Sequence, residues 1–229
     1  MKIALTTLAL ATGLAAPAIA DINVTDYEDL AEGFYGEELN HNGVTYRNVN
    51  NQAGVFPDGS TFDAGDLNGT IVVEDARVLY NDFPDWGSPV NCLTFGGVFI
   101  PGSNVSLGAL STVTMDLDSP ADSASLELAY YENGPWGGIE YRLDAMLNGE
   151  VVASDSFTIA NLGGRDNVAF TTMSVDGAVF DSLHLYATYN GEYSAPRGLV
   201  DNLAINSIPA PASVVAFAGL AGLAGRRRR

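Results

Sequence analysis

The sequence predicts an all-β domain, an antiparallel β-sandwich of the jelly-roll type. Short segments rich in Val, Ile, Thr, Tyr and Phe recur along the chain, and several alternate apolar and polar residues. Asn-Gly and Asp-Gly dipeptides, which accept positive φ and favour tight hairpins, separate many of these segments. The best helical candidate is 27–38, and Gly33 and Gly36 weaken it. Many short strands with regular turns are typical of antiparallel sandwiches.

The individual strands follow from this pattern. In 113–117 the apolar residues occupy alternate positions, and in 183–186 His184 and Tyr186 alternate with two leucines. The clearest hairpin joins 139–147 to 151–159 through the turn at 148–150. The predicted strands cover 44–49, 70–80, 92–100, 112–117, 125–131, 139–147, 150–159, 168–175, 183–189 and 199–205.

The N-terminus has the three parts of an export signal. Lys2 supplies the positive charge, 3–16 is the apolar region, and Ala18-Ile19-Ala20 is a small-x-small cleavage site. A retained membrane helix is the alternative, but it needs about 20 apolar residues and this region is shorter. We therefore predict a signal peptide over 1–20.

The C-terminus also has three parts. Pro209-Ala210-Pro211 precedes an apolar, Ala- and Gly-rich stretch over 213–225, and the chain closes with the basic residues Arg226, Arg227, Arg228 and Arg229. The stretch is short for a membrane span, and the arginines would hold its end on the cytoplasmic side. We expect a short hydrophobic sorting or anchor helix within 208–229. A simple membrane anchor is the alternative.

This tail resembles the PEP-CTERM sorting signals of Gram-negative bacteria. Those signals combine a Pro-Glu-Pro or related Pro-x-Pro motif, a short transmembrane stretch and a terminal Arg cluster. Here Ala210 replaces the Glu of the motif. The resemblance implies processing by an exosortase-like membrane enzyme, association with the membrane before processing, and a final location at the cell surface or in the exopolysaccharide matrix.

The segment between the two ends, 21–207, has the length of one sandwich domain and is strongly acidic. It holds all 28 acidic residues of the chain and only five basic ones, so its formal charge is −23. This balance argues against nucleic acid and anionic lipid as partners, and it is compatible with binding of divalent cations. Most of the acids are expected to form a solvated surface.

This segment resembles the jelly-roll ectodomains of anchor-bearing bacterial surface proteins. The matching features are Tyr27-Glu-Asp-Leu, Gly43-Val-Thr-Tyr, the run 83–89 with sequence Phe-Pro-Asp-Trp-Gly-Ser-Pro, and a closing strand that starts at Gly198. Carbohydrate-binding jelly rolls often hold a structural Ca²⁺ between their first and last strands. The resemblance implies Glu28 or Asp29, together with Asp201, as calcium ligands. The alternative for Asp201 is a hydrogen-bonded carboxylate within the sandwich.

Aromatic residues near turns are candidates for a carbohydrate-binding surface, because a flat ring can stack on the apolar face of a sugar. Trp86, Trp136 and Tyr131 are the ones we select, and Tyr130, Tyr189 and Tyr193 lie in similar contexts. The alternative for each tryptophan is to close one end of the sandwich, since aromatic side chains bury a large area.

Signatures of enzymes are weak in this chain. His41 and His184 are too few for a His-rich metal centre, and Cys92, the single cysteine, is expected to be a small buried hydrophobe. A glycoside hydrolase needs two carboxylates across a cleft, and among 28 acids Glu127, Glu132 and Glu140 carry little weight.

We therefore predict an exported, non-catalytic protein of the cell surface or exopolysaccharide matrix that binds carbohydrate. Two alternatives remain open, a polysaccharide-active glycoside hydrolase or lyase on the same fold and a purely structural matrix protein. Binding predicts Trp86 or Trp136 exposed in a groove. Catalysis predicts a deep cleft with paired carboxylates of different pKa. The structural alternative predicts neither.

Overall fold

A computed structural model describes residues 21–209 except 50, 57, 67–69, 76–85, 89, 100–105, 109–111, 132–137, 160–167 and 195–197. Within the strands, only the backbone is described at 21, 95–99, 106–108, 130, 131, 168 and 169. The predicted signal peptide, Pro211 and the terminal arginines therefore lie outside the described residues. Pro209 follows the last strand and is half-buried.

The predicted all-β class is confirmed. The described residues form antiparallel strands. In chain order they are β1 (Asp21–Thr25), β2 (Gly33–Phe34), β3 (Glu38–His41), β4 (Val44–Arg47), β5 (Gly54–Val55), β6 (Thr61–Phe62), β7 (Thr70–Asp75), β8 (Asn91–Phe99), β9 (Ser106–Gly108), β10 (Thr112–Tyr131), β11 (Ile139–Leu147), β12 (Glu150–Thr158), β13 (Val168–Tyr189), β14 (Glu192–Ser194) and β15 (Gly198–Ser207).

Two layers share the long strands β10 and β13. One layer, which we call the β11 layer, has the order β3-β4-β10-β13-β11-β12 and uses 112–117 of β10 and 182–189 of β13. The other, the β15 layer, has the order β13-β10-β15-β8-β7-β2, with β1 also paired to β15. The strands β10 and β13 pass from one layer to the other, so the sandwich is one continuous sheet folded over its core.

The length of β10 and β13 differs from the prediction. The sequence pattern predicted separate strands at 112–117 and 125–131, and again at 168–175 and 183–189. The structure joins each pair, because the register between the two strands shifts at 116–123 and the backbone bends without ending. Asp176-Gly177, predicted as a turn, lies inside β13, where Gly177 has a φ of 81°. Shifts of this kind increase strand twist and let one strand serve both layers.

The core lies between the layers. Alternate residues of the β11 layer, such as Leu143, Leu185 and Met115, share one buried cluster with Leu126 and Leu203 of the β15 layer. Successive strand residues point to opposite faces. The residues between these core positions therefore form the outer face of each layer.

Asn-Gly turns form hairpins as predicted. Asn148 and Gly149 join β11 to β12 with φ values of 53° and 82°. Two further Asn-Gly pairs with both φ values positive join β3 to β4 and β13 to β14. Positive φ at both central residues is the type I′ geometry, whose twist matches that of the flanking strands. The helix considered at 27–38 does not form; β2 and the start of β3 occupy that region.

In the described part of the chain, no helix is both long and apolar enough to cross a membrane.

Candidate functional site

The Ser88 hydroxyl lies among four oxygen acceptors, and we call this group the Ser88 cluster. Its Oγ is 2.8 Å from Glu28 Oε1, 2.9 Å from Asp201 Oδ2, 2.9 Å from the carbonyl oxygen of Asp26 and 3.0 Å from that of Asn91. A serine hydroxyl has one proton, so it donates to one of these acceptors at a time. The other three oxygens then face its lone pairs. The cluster therefore brings two carboxylates and two carbonyl oxygens close together around one hydroxyl.

The two carboxylates come from residues far apart in the sequence but from neighbouring strands. Glu28 follows β1, Asp201 lies in β15, with which β1 pairs, and the Ser88 hydroxyl contacts both side chains. Glu28 Oε1 also accepts hydrogen bonds from the backbone N–H groups of Val90 and Asn91, at 2.7 and 2.8 Å. Asp201 accepts from the N–H of Ser88 through Oδ2 and from the N–H of Asn202 through Oδ1. These bonds fix both side chains.

Uncommon backbone conformations accompany the cluster. Tyr27, between Asp26 and Glu28, has a φ of 60°, and Asn202, next to Asp201, has a φ of 46°. Non-glycine residues rarely adopt this left-handed region, and such residues concentrate at functional sites. Gly87 has a φ of 68°, and a Cβ at this position would overlap the Asp201 carboxylate. The cluster therefore requires a glycine immediately before Ser88.

Burial dominates the electrostatics of Asp201. Its side chain is 1% exposed, and this burial raises its pKa to about 6 even though the N–H groups of Ser88 and Asn202 lower it. Burial raises the pKa of a carboxyl because the charged form loses its hydration. A negative charge on Asp201 is thus costly unless a positive charge lies beside it.

The set of atoms suits a hard cation. Carboxylate, carbonyl and amide oxygens are the ligands that Ca²⁺ takes, six to eight at a time. Asn91, whose carbonyl oxygen contacts Ser88, also has a buried side-chain oxygen, Oδ1, for which the described residues provide no hydrogen-bond donor. No group of three or more His, Cys, Asp and Glu side chains that could hold a metal occurs in the described ranges. An ion here would therefore depend on backbone carbonyls as well as on two carboxylates.

Of the predicted calcium ligands, the structure brings Glu28 and Asp201 together and places Asp29 elsewhere. Asp29 Oδ1 lies 3.1 Å from His41 Nε2, and its side chain is 66% exposed. The side chain of Glu28 points into the Ser88 cluster, whereas that of its neighbour does not.

Trp86 lies on the outer face of the β15 layer. It packs on a small cluster formed by Cys92, Ala129 and Leu199, and it stacks on Phe170 with ring centroids 5.9 Å apart. Cys92 is buried, as predicted. Trp86 is half-buried, and Phe170 remains 37% exposed. Trp86 therefore covers an apolar patch and still presents part of its ring to solvent. Trp136 and the side chain of Tyr131 lie outside the described residues.

Sequence reasoning missed Ser88, Asn91 and the carbonyl of Asp26. A carbonyl ligand leaves no trace in residue type, since every residue has one. Gly87 and Ser88 lie within the run 83–89 that supports the jelly-roll resemblance, and from this run the sequence predicts only Trp86 as a functional residue. A glycine beside a serine in a segment before a strand was the available signal.

Comparison with solved structures finds similar folds at low identity. The K2 cleaved adhesin domain of Lys-gingipain is 13% identical, with a TM-score of 0.44 over 80% of this chain and 97% of that one. The K1 cleaved adhesin domain of Lys-gingipain from Porphyromonas gingivalis W83 is 12% identical, with a TM-score of 0.43 over 82% and 98%. The CBM22-1 xylan-binding domain of Paenibacillus barcinonensis Xyn10C is 13% identical, with a TM-score of 0.36 over 86% and 99%.

No protein-family model matches the chain, and a search of curated proteins finds no match. Identities and TM-scores this low do not extend the functions of those solved proteins to this chain.

Proposed function

We propose that this chain is an exported, non-catalytic β-sandwich protein of the cell surface or exopolysaccharide matrix, that it binds carbohydrate, and that Ca²⁺ at the Ser88 cluster stabilises it. The observation that carries the calcium part is the convergence of two carboxylates and two carbonyl oxygens on one hydroxyl. The resemblance of 208–229 to a sorting signal supports the proposed location.

Calcium fits the donor set better than other common metals. The atoms are all oxygens, and Zn²⁺ prefers nitrogen and sulfur ligands. Mg²⁺ demands a regular octahedron and keeps several waters, whereas Ca²⁺ accepts irregular sets that include backbone carbonyls. Glu28 and Asp201 would hold the ion with the carbonyls of Asp26 and Asn91. When bound, Ca²⁺ supplies the positive charge that the buried carboxylate of Asp201 lacks.

The effect of the ion would be structural. Its ligands come from the residues after β1, from the start of β8 and from β15, so binding would hold the segment that contains Ser88 against the paired strands β1 and β15. Trp86 stands two residues before Ser88 in that segment. Fixing the segment would also fix the position of Trp86 against Phe170.

Trp86 and Phe170 support the carbohydrate part of the proposal. The pair presents stacked aromatic surface on the outer face of the β15 layer. Glu127 lies on the same face, opposite Asp201 in the register, and it accepts a hydrogen bond from the side chain of Asn202. Aromatic surface beside a few fixed polar groups is the usual composition of a ligand site. Trp136 and Tyr131 remain proposed carbohydrate-binding residues on the sequence alone.

The proposal that the protein is not an enzyme rests on the surroundings of Asp201, the carboxyl group whose pKa is raised. Asp201 is buried beneath the 86–88 segment, with its oxygens already bonded to Ser88 and Asn202. A general acid has to reach the leaving group of its substrate. Asp201 in this position is suited to holding an ion.

Thermal unfolding of the purified protein in EDTA, and then in millimolar calcium, tests the metal part. A ligand that binds only the folded state stabilises it by RT ln(1 + [L]/Kd). We expect a rise in Tm with calcium, reversal by EDTA and a smaller rise with magnesium. An unchanged Tm at millimolar calcium overturns the metal proposal.

Affinity electrophoresis of the same sample against a polysaccharide panel tests the binding part. Retarded migration in a polysaccharide gel is expected, and Trp86→Ala should reduce it while Phe34→Ala, an exposed aromatic change on β2, should not. A calcium effect without any retardation supports the purely structural alternative. Release of reducing ends from any polysaccharide in the panel supports the alternative that the protein is a polysaccharide-active enzyme.

A further inference from the structure

A ladder of three rings crosses the outer face of the β11 layer. Tyr186 and Tyr193 stack with centroids 5.0 Å apart and planes 7° from parallel, and His184 stacks on Tyr186 at 4.7 Å. Leu185, between His184 and Tyr186 in β13, belongs to the core. The rings on either side of it therefore point away from the core. Sequence reasoning placed His184 and Tyr186 on one face, and the structure adds Tyr193 from β14.

Polar contacts hold these rings in place. Tyr186 OH donates to Asp144 Oδ2 at 2.9 Å, and Ser154 Oγ donates to Asp144 Oδ1 at 2.6 Å. Asp144 is 5% exposed, so this acceptor lies beneath the surface of the ladder. His184 Nε2 lies 3.3 Å from Tyr193 OH and also contacts Thr112 Oγ1. The rings are therefore fixed before any ligand arrives, which lowers the entropy lost on binding.

Tyr193 is also held from the backbone side. The Asn190-Gly191 turn pairs β14 with the end of β13, and Tyr193 stands opposite Thr188. On its other side, Gly54 of β5 comes so close that a Cβ there would overlap the Tyr193 carbonyl oxygen. The ring at the end of the ladder is thus fixed by two neighbouring strands.

Arg142 places an unused donor beside the ladder. It stands opposite Tyr186 in the register of β11 and β13, so both side chains lie on the same outer face. Its Nε is buried and has no hydrogen-bond partner among the described residues, and its Nη1 lies 3.5 Å from Glu140 Oε1. A buried donor without an acceptor is unfavourable in a protein unless something satisfies it. The side chain as a whole is 36% exposed, so the other N–H groups of its guanidinium can donate to a hydroxyl oxygen of a ligand lying across Tyr186.

The chemistry of this face selects its ligand. Flat rings offer apolar contact, while Arg142 and Glu140 offer a donor and an acceptor at their edge, and a sugar presents both kinds of surface. The formal charge of −23 over 21–207 opposes the approach of a polyanion. Arg142 is itself flanked by the acidic groups of Glu140 and Asp144, so it offers no net positive site. A neutral polysaccharide therefore fits the rings, the polar groups and the charge of this face.

We propose that the outer face of the β11 layer, formed by His184, Tyr186, Tyr193 and Arg142, is a second saccharide-binding face, specific for neutral polysaccharide. It lies on the layer opposite to that of Trp86 and Phe170. This inference extends the proposed carbohydrate binding and rests on it. A protein with a face on each layer can hold two polysaccharide chains at once, which would link chains of a matrix.

Affinity electrophoresis of the full-length protein separates the two faces. The gels contain soluble xylan, β-1,3-glucan, galactomannan or alginate, the last as the acidic polymer. On the neutral polymers that retard the wild type, we expect Tyr193→Ala to weaken binding about fivefold or more, because a ring contact is lost. Tyr193→Phe keeps the ring and should retain wild-type affinity, and Arg142→Gln should weaken binding. Phe34→Ala is the matched control for loss of an aromatic ring elsewhere.

The outcomes distinguish this inference from the proposed function. Binding that is weakened by Tyr193→Ala and persists in Trp86→Ala supports a second face. Binding that Trp86→Ala abolishes, with Tyr193→Ala equal to wild type, overturns the second face and leaves the proposed function intact. Wild-type protein that binds none of the polymers overturns both, and retardation by alginate alone overturns the neutral specificity. Unfolding curves of Tyr193→Ala and Tyr193→Phe show whether an effect of the first variant reflects loss of folding.

Discussion

Glu28 Oε1 and Asp201 Oδ2 contact the same Ser88 hydroxyl, at 2.8 and 2.9 Å. One carboxylate follows the first strand and the other lies in the last, so the Ser88 hydroxyl adds a side-chain contact to the backbone pairing of β1 with β15. Because these two carboxylates and two carbonyl oxygens surround one hydroxyl, we propose that a cation stabilises the arrangement. The first two predictions test that relationship.

Asp201→Asn keeps the shape of the side chain and removes its charge. We expect this variant to lose the calcium-dependent rise in Tm, which for wild type would correspond to about 2.7 kcal/mol at a calcium concentration of 100 times Kd. In EDTA the stability of the variant should be close to that of wild type. The neutral amide is cheaper to bury than the carboxylate, but the N–H of Ser88 or Asn202 then loses its acceptor. Thermal unfolding with and without calcium measures both effects. Asp176→Asn, an exposed acid of β13, is the matched control and should keep the calcium response.

Gly87→Ala should destabilise the protein in two ways. The φ of 68° disfavours any residue with a Cβ, and the new methyl group would overlap the Asp201 carboxylate. Gly177→Ala is the matched control, since its φ is 81° and no atom lies within 4 Å of the added Cβ. We expect about 1 kcal/mol of destabilisation for the control and clearly more for Gly87→Ala, with weakened calcium binding only in the latter. If urea unfolding shows equal losses of unfolding free energy for Gly87→Ala and Gly177→Ala, the close approach of Gly87 to Asp201 does not affect stability.

Tyr27 and Tyr46 form a hydroxyl pair inside the core, with oxygen atoms 3.1 Å apart and both side chains fully buried. Removing one hydroxyl leaves the other without this partner, so each single change to Phe should cost about 1–3 kcal/mol. The double variant should cost less than the sum of the two, because both buried polar groups are then gone. Urea unfolding in EDTA of the four proteins gives the coupling energy. Additive losses would show that the pair does not stabilise the core.

His184 should make stability depend on pH. Its burial lowers its pKa below the ordinary 6.5, while the Asp144 carboxylate partly raises it. The folded protein therefore disfavours the protonated ring, and the unfolded chain binds more protons in the window just below pH 6.5. The contribution of His184 to stability is complete above pH 6.5 and is lost as pH falls through its folded pKa. Urea unfolding between pH 8 and 5 should show this loss in wild type, and His184→Gln should show a shallower slope. Parallel curves for the two proteins would contradict the prediction.

The sequence predicted the local structure well where local signals decide it. The Asn148-Gly149 hairpin follows from turn chemistry, because few residue pairs accept positive φ at both positions. The facing of His184 and Tyr186 follows from the period of two along a strand. In contrast, the sequence pattern did not predict that 112–117 and 125–131 form one strand. The polar residues between them resemble a turn, but in the structure the backbone continues through a register shift.

For the candidate sites, the jelly-roll resemblance implied Glu28 or Asp29 together with Asp201, and residue type suggested Trp86. The contacts that these side chains make depend on the tertiary structure. The sequence by itself determined the all-β class, the acidity of the domain and the shortage of basic residues, since these depend on composition and short-range pattern. The tertiary structure decided that Glu28 rather than Asp29 meets Asp201, that Ser88 stands between them, and that Tyr193 joins Tyr186. Such contacts depend on strand order and register, which bring together residues far apart in the chain.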